Sequence, residues 1–162
     1  MRPFRSAPAQ GFTLIELLMT VTLLSILVSV ALPMIELTMQ RHREVELRSA
    51  LREIREALNA YKKAADTGHV AKAADASGYP PSLDALYFGA VDVRDPKGRK
   101  IYFLRRIPRD PMFPDSSAPA AKSWGLRSYA SGPDDPREGD DVFDVYSLSE
   151  KEGLNGLPYR QW

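Results

Sequence analysis

The hydrophobic pattern of the chain changes near Pro33 and divides its first 65 residues into two parts. From Phe12 to Leu32 the residues carry no charge except at Glu16. This run of 21 residues makes a helix about 31 Å long, which is enough to cross the hydrocarbon core of a bilayer. We therefore predict a transmembrane helix over residues 12–33.

Beyond Pro33 the apolar residues recur every three or four positions, which is the spacing of one helix face. No glycine or proline interrupts residues 34–67. We predict one helix over residues 12–65, about 80 Å long and bent at Pro33, whose amphipathic part (34–65) packs on a sheet. The apolar face consists of Leu47, Leu51, Ile54, Leu58 and Tyr61, and we place Arg41, Arg43, Glu44, Arg48, Arg52, Glu53, Arg55 and Glu56 on the exposed remainder.

Residues 66–162 predict a globular region that begins with an Ala-, Gly- and Pro-rich loop up to residue 82. Ser82 is suited to cap a short helix through Phe88, with Leu83 and Leu86 facing inward. The turn-forming residues 95–98 predict a small hairpin that joins strands 91–94 and 100–104.

The more regular strand patterns lie near the end of the chain. Residues 124–130 and 142–148 predict two strands, joined by a turn-forming acidic loop over residues 131–141. A third short strand is predicted over residues 158–162. The fold class is therefore α+β: one long N-terminal helix, with its first half transmembrane, packed on a small antiparallel β-sheet.

The charge at Glu16 is the first candidate for function. A carboxylate deep in a membrane segment costs about 2.5–3.5 kcal/mol on insertion scales, so such a residue is a functional hypothesis by default. A free α-amine would appear close to it if the chain were cut between Gly11 and Phe12. The basic residues Arg2 and Arg5 favour a cytoplasmic N-terminus, which places the rest of the chain on the far side of the membrane.

The junction over residues 9–16, Ala-Gln-Gly-Phe-Thr-Leu-Ile-Glu, resembles the class-3 signal of type IV prepilins. The resemblance implies a leader over residues 1–11 and a prepilin peptidase that cuts after Gly11 and methylates Phe12. It implies assembly roles for Glu16 and for Pro33, which falls where family members carry a helix-bending proline. The competing interpretations are a cleaved secretory signal, whose apolar stretch would be shorter, and a plain signal anchor, which has no reason to keep Glu16.

Three features of the second half resemble major pseudopilins of type II secretion. Residues 102–111 are similar to their Y-L-x-x-I-P-x-D-P stretch, residues 144–148 to their D-[LV]-Y-S strand, and Trp162 to their closing tryptophan. The resemblance implies a pilin-like fold in a periplasmic pseudopilus that supports protein export. A subunit of a type IV pilus, major or minor, stays open, because family members without a known secretion system also carry these motifs.

The resemblance also implies partners and a location. The partners are further copies of the chain in a homo-polymer, the prepilin peptidase, other pseudopilins or pilins, an inner-membrane assembly platform and the membrane itself. The location is the bacterial inner membrane, as a single-pass protein with a cytoplasmic N-terminus and a periplasmic C-terminal domain.

Major pseudopilins hold calcium in the loop after the D-L-Y-S strand. The candidate ligands here are Leu148, Glu150, Glu152 and Asn155, with acids 140, 141 or 144 nearby. Calcium takes six to eight oxygen ligands. This loop lacks the family's aspartates and contains Lys151, so we favour a solvated acidic turn over a calcium site.

Composition excludes several other classes of function. The chain has no cysteine, so it has no disulfide and no Cys-based zinc site. His42 and His69 lack a second histidine at metal-ligand spacing, and we expect both at the surface. The usual catalytic motifs are missing, so we expect no enzyme activity. A membrane-anchored binding module or enzyme is a third alternative, which would require a pocket with convergent polar groups. We expect the aromatic residues Trp124, Tyr129, Phe143 and Tyr146 in the core.

Charge is unevenly distributed along the chain. Residues 41–110 hold 15 Lys and Arg against 10 Asp and Glu, whereas residues 111–162 hold 5 against 9. This polarity suits subunits that meet basic side to acidic side, although it also suits two merely solvated faces. Basic residues interspersed with acids give no indication of nucleic-acid binding.

Overall fold

The computed structural model describes residues 11–132 and 134–162. The described chain divides into two compact units, one up to Gln40 and the other from Arg41 to Trp162. Helix α1 (Leu14–Asp66, 53 residues) supplies residues to both. The prediction of one long N-terminal helix is confirmed, with each end within two residues of the expected one.

The first unit exposes apolar side chains on every side of α1. Each large apolar side chain that the structure describes between Phe12 and Met39 is at least 48% exposed. Within the described residues, α1 is the one helix long and apolar enough to cross a membrane by length and composition. A helix that is apolar all round needs lipid or other helices around it.

The core of the second unit forms on the apolar stripe of α1. Leu47, Leu51, Ile54 and Leu58 are at most 2% exposed, as predicted, and Tyr61 is half-buried against Phe103. Burial of each such leucine or isoleucine contributes about 1.5–3 kcal/mol of transfer free energy. The stripe packs against Leu83, Leu86, Leu104, Trp124, Val142, Val145 and Tyr159.

The predicted short helix and hairpin are both present. Helix α2 (Leu83–Phe88) buries Leu83 and Leu86, and Ser82 occupies its N-cap position without a side-chain capping bond. Strands β1 (Ala90–Val91) and β2 (Lys100–Ile101) pair antiparallel over two residues each. The hairpin is shorter than predicted because residues 92–99 form turns closed by Asp92 N–H to Arg99 and Gly98 N–H to Asp95.

Strands β3 (Trp124–Arg127) and β4 (Asp144–Ser147) form the second antiparallel pair, with Trp124 opposite Ser147. Gly125 faces Tyr146, and a Cβ at Gly125 would clash with the Tyr146 ring. Both strands are shorter than predicted, because the next backbone donor, Ser128 N–H, bonds to Arg137 O rather than to the partner strand.

The predictions of a third strand and of an entirely buried set of aromatic residues in the second unit are wrong. The third strand is instead a 3₁₀ turn over Tyr159–Gln161, which buries Tyr159 to 1% exposure. Pairing near it is limited to an isolated bridge between Glu152 and Pro158. The aromatic prediction holds for Trp124, but Tyr129 is 62% and Phe143 37% exposed, because they pack mainly on Tyr79 at the surface; Tyr146 is half-buried.

Candidate processing and assembly site

The predicted cleavage point lies just before α1. The leader residues 1–10 are outside the described residues, whereas Gly11 and Phe12 precede the first turn of the helix. Among the described residues, no atom beyond those of its chain neighbours lies within 4 Å of the position that a Cβ would take at Gly11, and Phe12 is 82% exposed. The peptide bond that joins them is therefore accessible, and the fold places no steric demand for glycine at position 11.

Thr13 and Glu16 form the start of α1. The backbone N–H of Glu16 donates to the Thr13 hydroxyl (3.3 Å), and Leu17 N–H donates to the Thr13 carbonyl (3.1 Å). Threonine followed three residues later by glutamate is the sequence pattern of a capping box. The pattern is present in the sequence, and it could have placed the helix start at Leu14. Glu16 also lies in the first turn, where the helix dipole favours a negative charge.

Five hydroxyl side chains between residues 20 and 38 donate hydrogen bonds to the backbone of α1 itself. Each hydroxyl donates to a backbone carbonyl three or four residues earlier, at 2.7–2.8 Å. Such internal bonds make a hydroxyl tolerable in lipid. The residues concerned are Thr20, Thr22, Ser25, Ser29 and Thr38. A carboxylate has no hydrogen to donate when ionised, so Glu16 differs from them in kind.

Pro33, the other predicted assembly residue, lies within the bounds of α1. The bend expected at this position stays a prediction.

The calcium candidates lie in an exposed loop. Leu148, Glu150, Glu152 and Asn155 are all exposed, and the Asn155 side-chain oxygen accepts a bond from Leu157 N–H (3.1 Å). The described residues contain no group of three or more histidine, aspartate or glutamate side chains that could hold a metal ion. The preference for a solvated acidic turn over a calcium site therefore stays a prediction.

The same loop is held by a residue that we misplaced. Glu44, predicted on the exposed face of α1, is 6% exposed. One of its carboxylate oxygens accepts the Leu154 N–H (2.7 Å) and the Tyr159 hydroxyl (3.0 Å). The signal was present in the sequence, since Glu44 continues the apolar stripe three residues before Leu47. Its charge had placed it among the exposed residues.

The motifs that resemble major pseudopilins meet in the second unit. Asp110, from the stretch over residues 102–111, accepts a hydrogen bond from the Ser147 hydroxyl of β4 (2.6 Å) and is 1% exposed. Burial raises the pKa of this carboxyl, although bonds from Ser147, Met112 N–H and Leu148 N–H oppose the shift. Trp124 Nε1 donates to the carbonyl of Pro108 (2.8 Å).

Arginines of α1 connect the helix to the other two motifs. Arg55 Nε lies 2.7 Å from an Asp144 carboxylate oxygen, and Arg55 also donates to the main-chain oxygen of Trp162 (2.9 Å). The Arg48 guanidinium lies over the Trp162 ring, 4.4 Å from its centroid. The motif residues therefore fix the sheet and the end of the described chain to α1.

The two histidines differ. His42 is exposed, whereas His69 is half-buried with Nδ1 3.1 Å from an Asp92 oxygen. The N–H of Arg94 is the main cause of the lowered pKa of Asp92, to which His69 adds.

A protein-family model, described as the prokaryotic N-terminal methylation motif, matches residues 7–32. The match covers the Gly11–Phe12 junction, Glu16 and most of the apolar segment, and it supports a type IV pilin-like leader. A leader of this kind implies cleavage by a prepilin peptidase and assembly with pilin-like subunits. No curated protein and no solved structure matches the chain.

Proposed function

We propose that the chain is a structural subunit of a periplasmic pseudopilus that supports type II protein secretion. The observation that carries the proposal is the methylation motif on a helix whose apolar side chains are exposed all round. A surface of this kind is stable in lipid before assembly and among identical helices afterwards. The chain has no catalytic role in this proposal, since the cleavage and the methylation are carried out by the prepilin peptidase.

Glu16 supplies the electrostatic step of assembly. Cleavage after Gly11 leaves an α-amine on Phe12, and methylation keeps its positive charge. In a low-dielectric helix bundle an unpaired ammonium is costly, so it favours a neighbour's carboxylate at the same depth. Glu16 is the one charged residue between Phe12 and Ile35 and is therefore the group available to the neighbouring amine.

The choice of a pseudopilus rests on the motifs of the second half. The segments around Asp110 and Asp144 and the residue Trp162 resemble major pseudopilins, and their contacts give these residues a structural reason to occur together. The alternative is a subunit of a type IV pilus, which the methylation motif supports equally.

Deletion of the gene in the organism that carries it would separate the two functions. A pseudopilin predicts that exported proteins accumulate in the periplasm while surface pili are unchanged, and that the full-length gene restores export. Loss of surface pili with normal export would favour the pilus subunit. Normal export and normal pili would contradict both.

A further inference from the structure

Two oppositely charged surfaces occur in the unit Arg41–Trp162. The first, here named the arginine groove, is a cavity of about 470 Å³ lined on one side by three arginines of α1. Its lining is Arg48, Leu51, Arg52, Arg55, Glu56, Asn59, Asn155, Leu157, Gln161 and Trp162. The second, here named the acidic loop, comprises residues 134–141, with five acids and one arginine.

Two of the three arginines in the arginine groove make no ion pair with a described residue. Arg55 is paired with Asp144, whereas the Arg48 guanidinium lies over the Trp162 ring, and Arg52 is exposed with no ion pair to any described residue. Glu56 is the one acidic residue in the lining. Guanidinium groups are weakly hydrated and present a fork of donors, which suits them to carboxylates.

The acidic loop presents carboxylates from a fixed base. Asp141 is used internally, since it accepts the Ser128 hydroxyl (2.7 Å) and Tyr129 N–H (2.8 Å). Burial alone would raise the pKa of Asp141, but these bonds and one from Ser77 lower it. Asp135 pairs with Arg137. The remaining acids, Asp134, Glu138 and Asp140, are exposed and make no ion pair with a described residue.

The two surfaces lie at different levels along α1. The acidic loop lines a cavity with Tyr61 and Ala65, near the end of the helix, whereas the arginines are centred near residue 52. Thirteen residues of helix correspond to about 20 Å. Contact between such displaced surfaces is heterologous, so each copy that accepts one neighbour leaves a surface free for the next.

We propose that the acidic loop of one copy docks in the arginine groove of the next copy along the filament. The inference rests on the proposed function, since it requires that copies assemble. Charge complementarity selects this groove over the other arginine surface, at Arg105 and Arg106, because that cavity is lined by two glutamates, Glu53 and Glu56. Exposed ion pairs are each weak and screened by salt, so the contact sets the register of neighbours that the apolar helices hold together.

Charge reversal in the full-length protein, expressed in membranes with a prepilin peptidase, tests the contact. Arg52→Glu and Asp140→Lys should each lower filament yield about fivefold, and the two together should restore it. Arg52 makes no ion pair within the described chain, so its reversal breaks none there. Arg106→Glu is the matched control and should keep wild-type yield. Normal yield with both single reversals would overturn the docking.

Cysteine cross-linking gives a second, independent measurement, because the chain has no native cysteine. The pair Arg52→Cys and Asp140→Cys in one chain should oxidise to a ladder of dimers, trimers and higher species in sheared filaments. The control pair Arg106→Cys and Asp140→Cys should stay monomeric. If the wild-type protein forms filaments but the Arg52→Cys and Asp140→Cys variant gives no ladder, the docking inference is overturned and the proposed function is not. Failure of the processed wild-type protein to form filaments would overturn the proposed function and the inference with it.

Discussion

At the scale of single residues, the two roles that we propose for Glu16 have different chemical requirements. As N3 of α1, its side chain can reach back to the helix N-terminus, a task that glutamine performs as well as glutamate. As the partner of a neighbour's amine, it must carry a negative charge. The Thr13 hydroxyl already caps the Glu16 N–H, so the helix start does not depend on the carboxylate alone.

Substitution of Glu16 separates these roles. Glu16→Gln keeps the capping geometry and removes the charge, and Glu16→Ala removes both. We expect both variants to be inserted and cleaved but to form few filaments, because the neighbour's ammonium is left unpaired in a low-dielectric bundle. Electron microscopy of sheared filaments measures the yield. Wild-type assembly by Glu16→Gln would show that capping, not charge, is what position 16 provides.

Asp110 predicts a pH dependence that the surface acids do not share. Its pKa is raised in the folded protein by burial, so between the unfolded value, about 3.9, and the folded value the native state binds more protons. The contribution of protonated Asp110 to the free energy of unfolding is therefore complete below about pH 4, and it is lost as the pH rises through the pKa of Asp110 in the folded protein.

Comparison with Asp110→Asn isolates this effect. Urea unfolding of the full-length protein in detergent should give a free-energy difference, wild type minus variant, that decreases from pH 4 upward. Asp66→Asn is the control with the opposite sign. Hydrogen bonds from Lys62 and Lys72 lower the pKa of Asp66, so its contribution is lost as the pH falls. If the free-energy difference between wild type and Asp110→Asn is constant or rises with pH, the pKa of Asp110 is not raised in the folded protein.

At the scale of elements, the apolar stripe of α1 determines the stability of the second unit. Ile54 is fully buried, whereas Val45, nine residues earlier, is 65% exposed. Ile54→Ala should lower the free energy of unfolding by about 2–5 kcal/mol, and Val45→Ala by less than about 0.5 kcal/mol. Tryptophan fluorescence during urea unfolding in detergent measures both. Equal effects of the two substitutions would mean that the stripe is not the core.

The loop after β4 predicts the response to calcium. Glu44 already binds Leu154 N–H and the Tyr159 hydroxyl, so the loop is held without an ion. The melting temperature of the full-length protein should be the same with calcium and with chelator. An increase of several degrees with calcium, abolished by Glu150→Ala and Glu152→Ala, would instead assign a metal site to this loop.

Comparison of the predicted and observed elements shows which parts of the fold were predictable from the sequence. The long helix was predictable because residues 12–65 contain no glycine and one proline, and because the stripe repeats every three or four residues. The strands predicted from local patterns were too long. The hydrogen bond from Ser128 N–H to Arg137 O ends the pairing, and the alternation of residues along the strand does not reveal it. The bond between Asp110 and Ser147 spans 37 residues, and no local pattern contains it. Glu44 was misplaced because its charge was given more weight than its position in the stripe.

At the scale of the whole molecule, the chain has a surface that its own fold does not cover. The apolar residues from Phe12 to Met39 are exposed all round, and the second unit carries the arginine groove and the acidic loop. Their proposed partners are lipid and other copies of the chain. The composition anticipated the opposite charges, but their positions required the structure, because Arg52 and Asp140 are far apart in sequence.

The most direct test of the account is the mass of the mature N-terminus. The full-length gene is expressed with a prepilin peptidase, and the membrane form is purified and analysed intact and after digestion. The mature wild-type chain should begin with N-methylated Phe12. The variant Gly11→Val should keep residues 1–11. The fold has room for the valine side chain, so a loss of cleavage would arise because the peptidase cannot accept valine at the cleavage site. A wild-type membrane form that begins at any other residue, or that lacks the methyl group, would contradict the central claim.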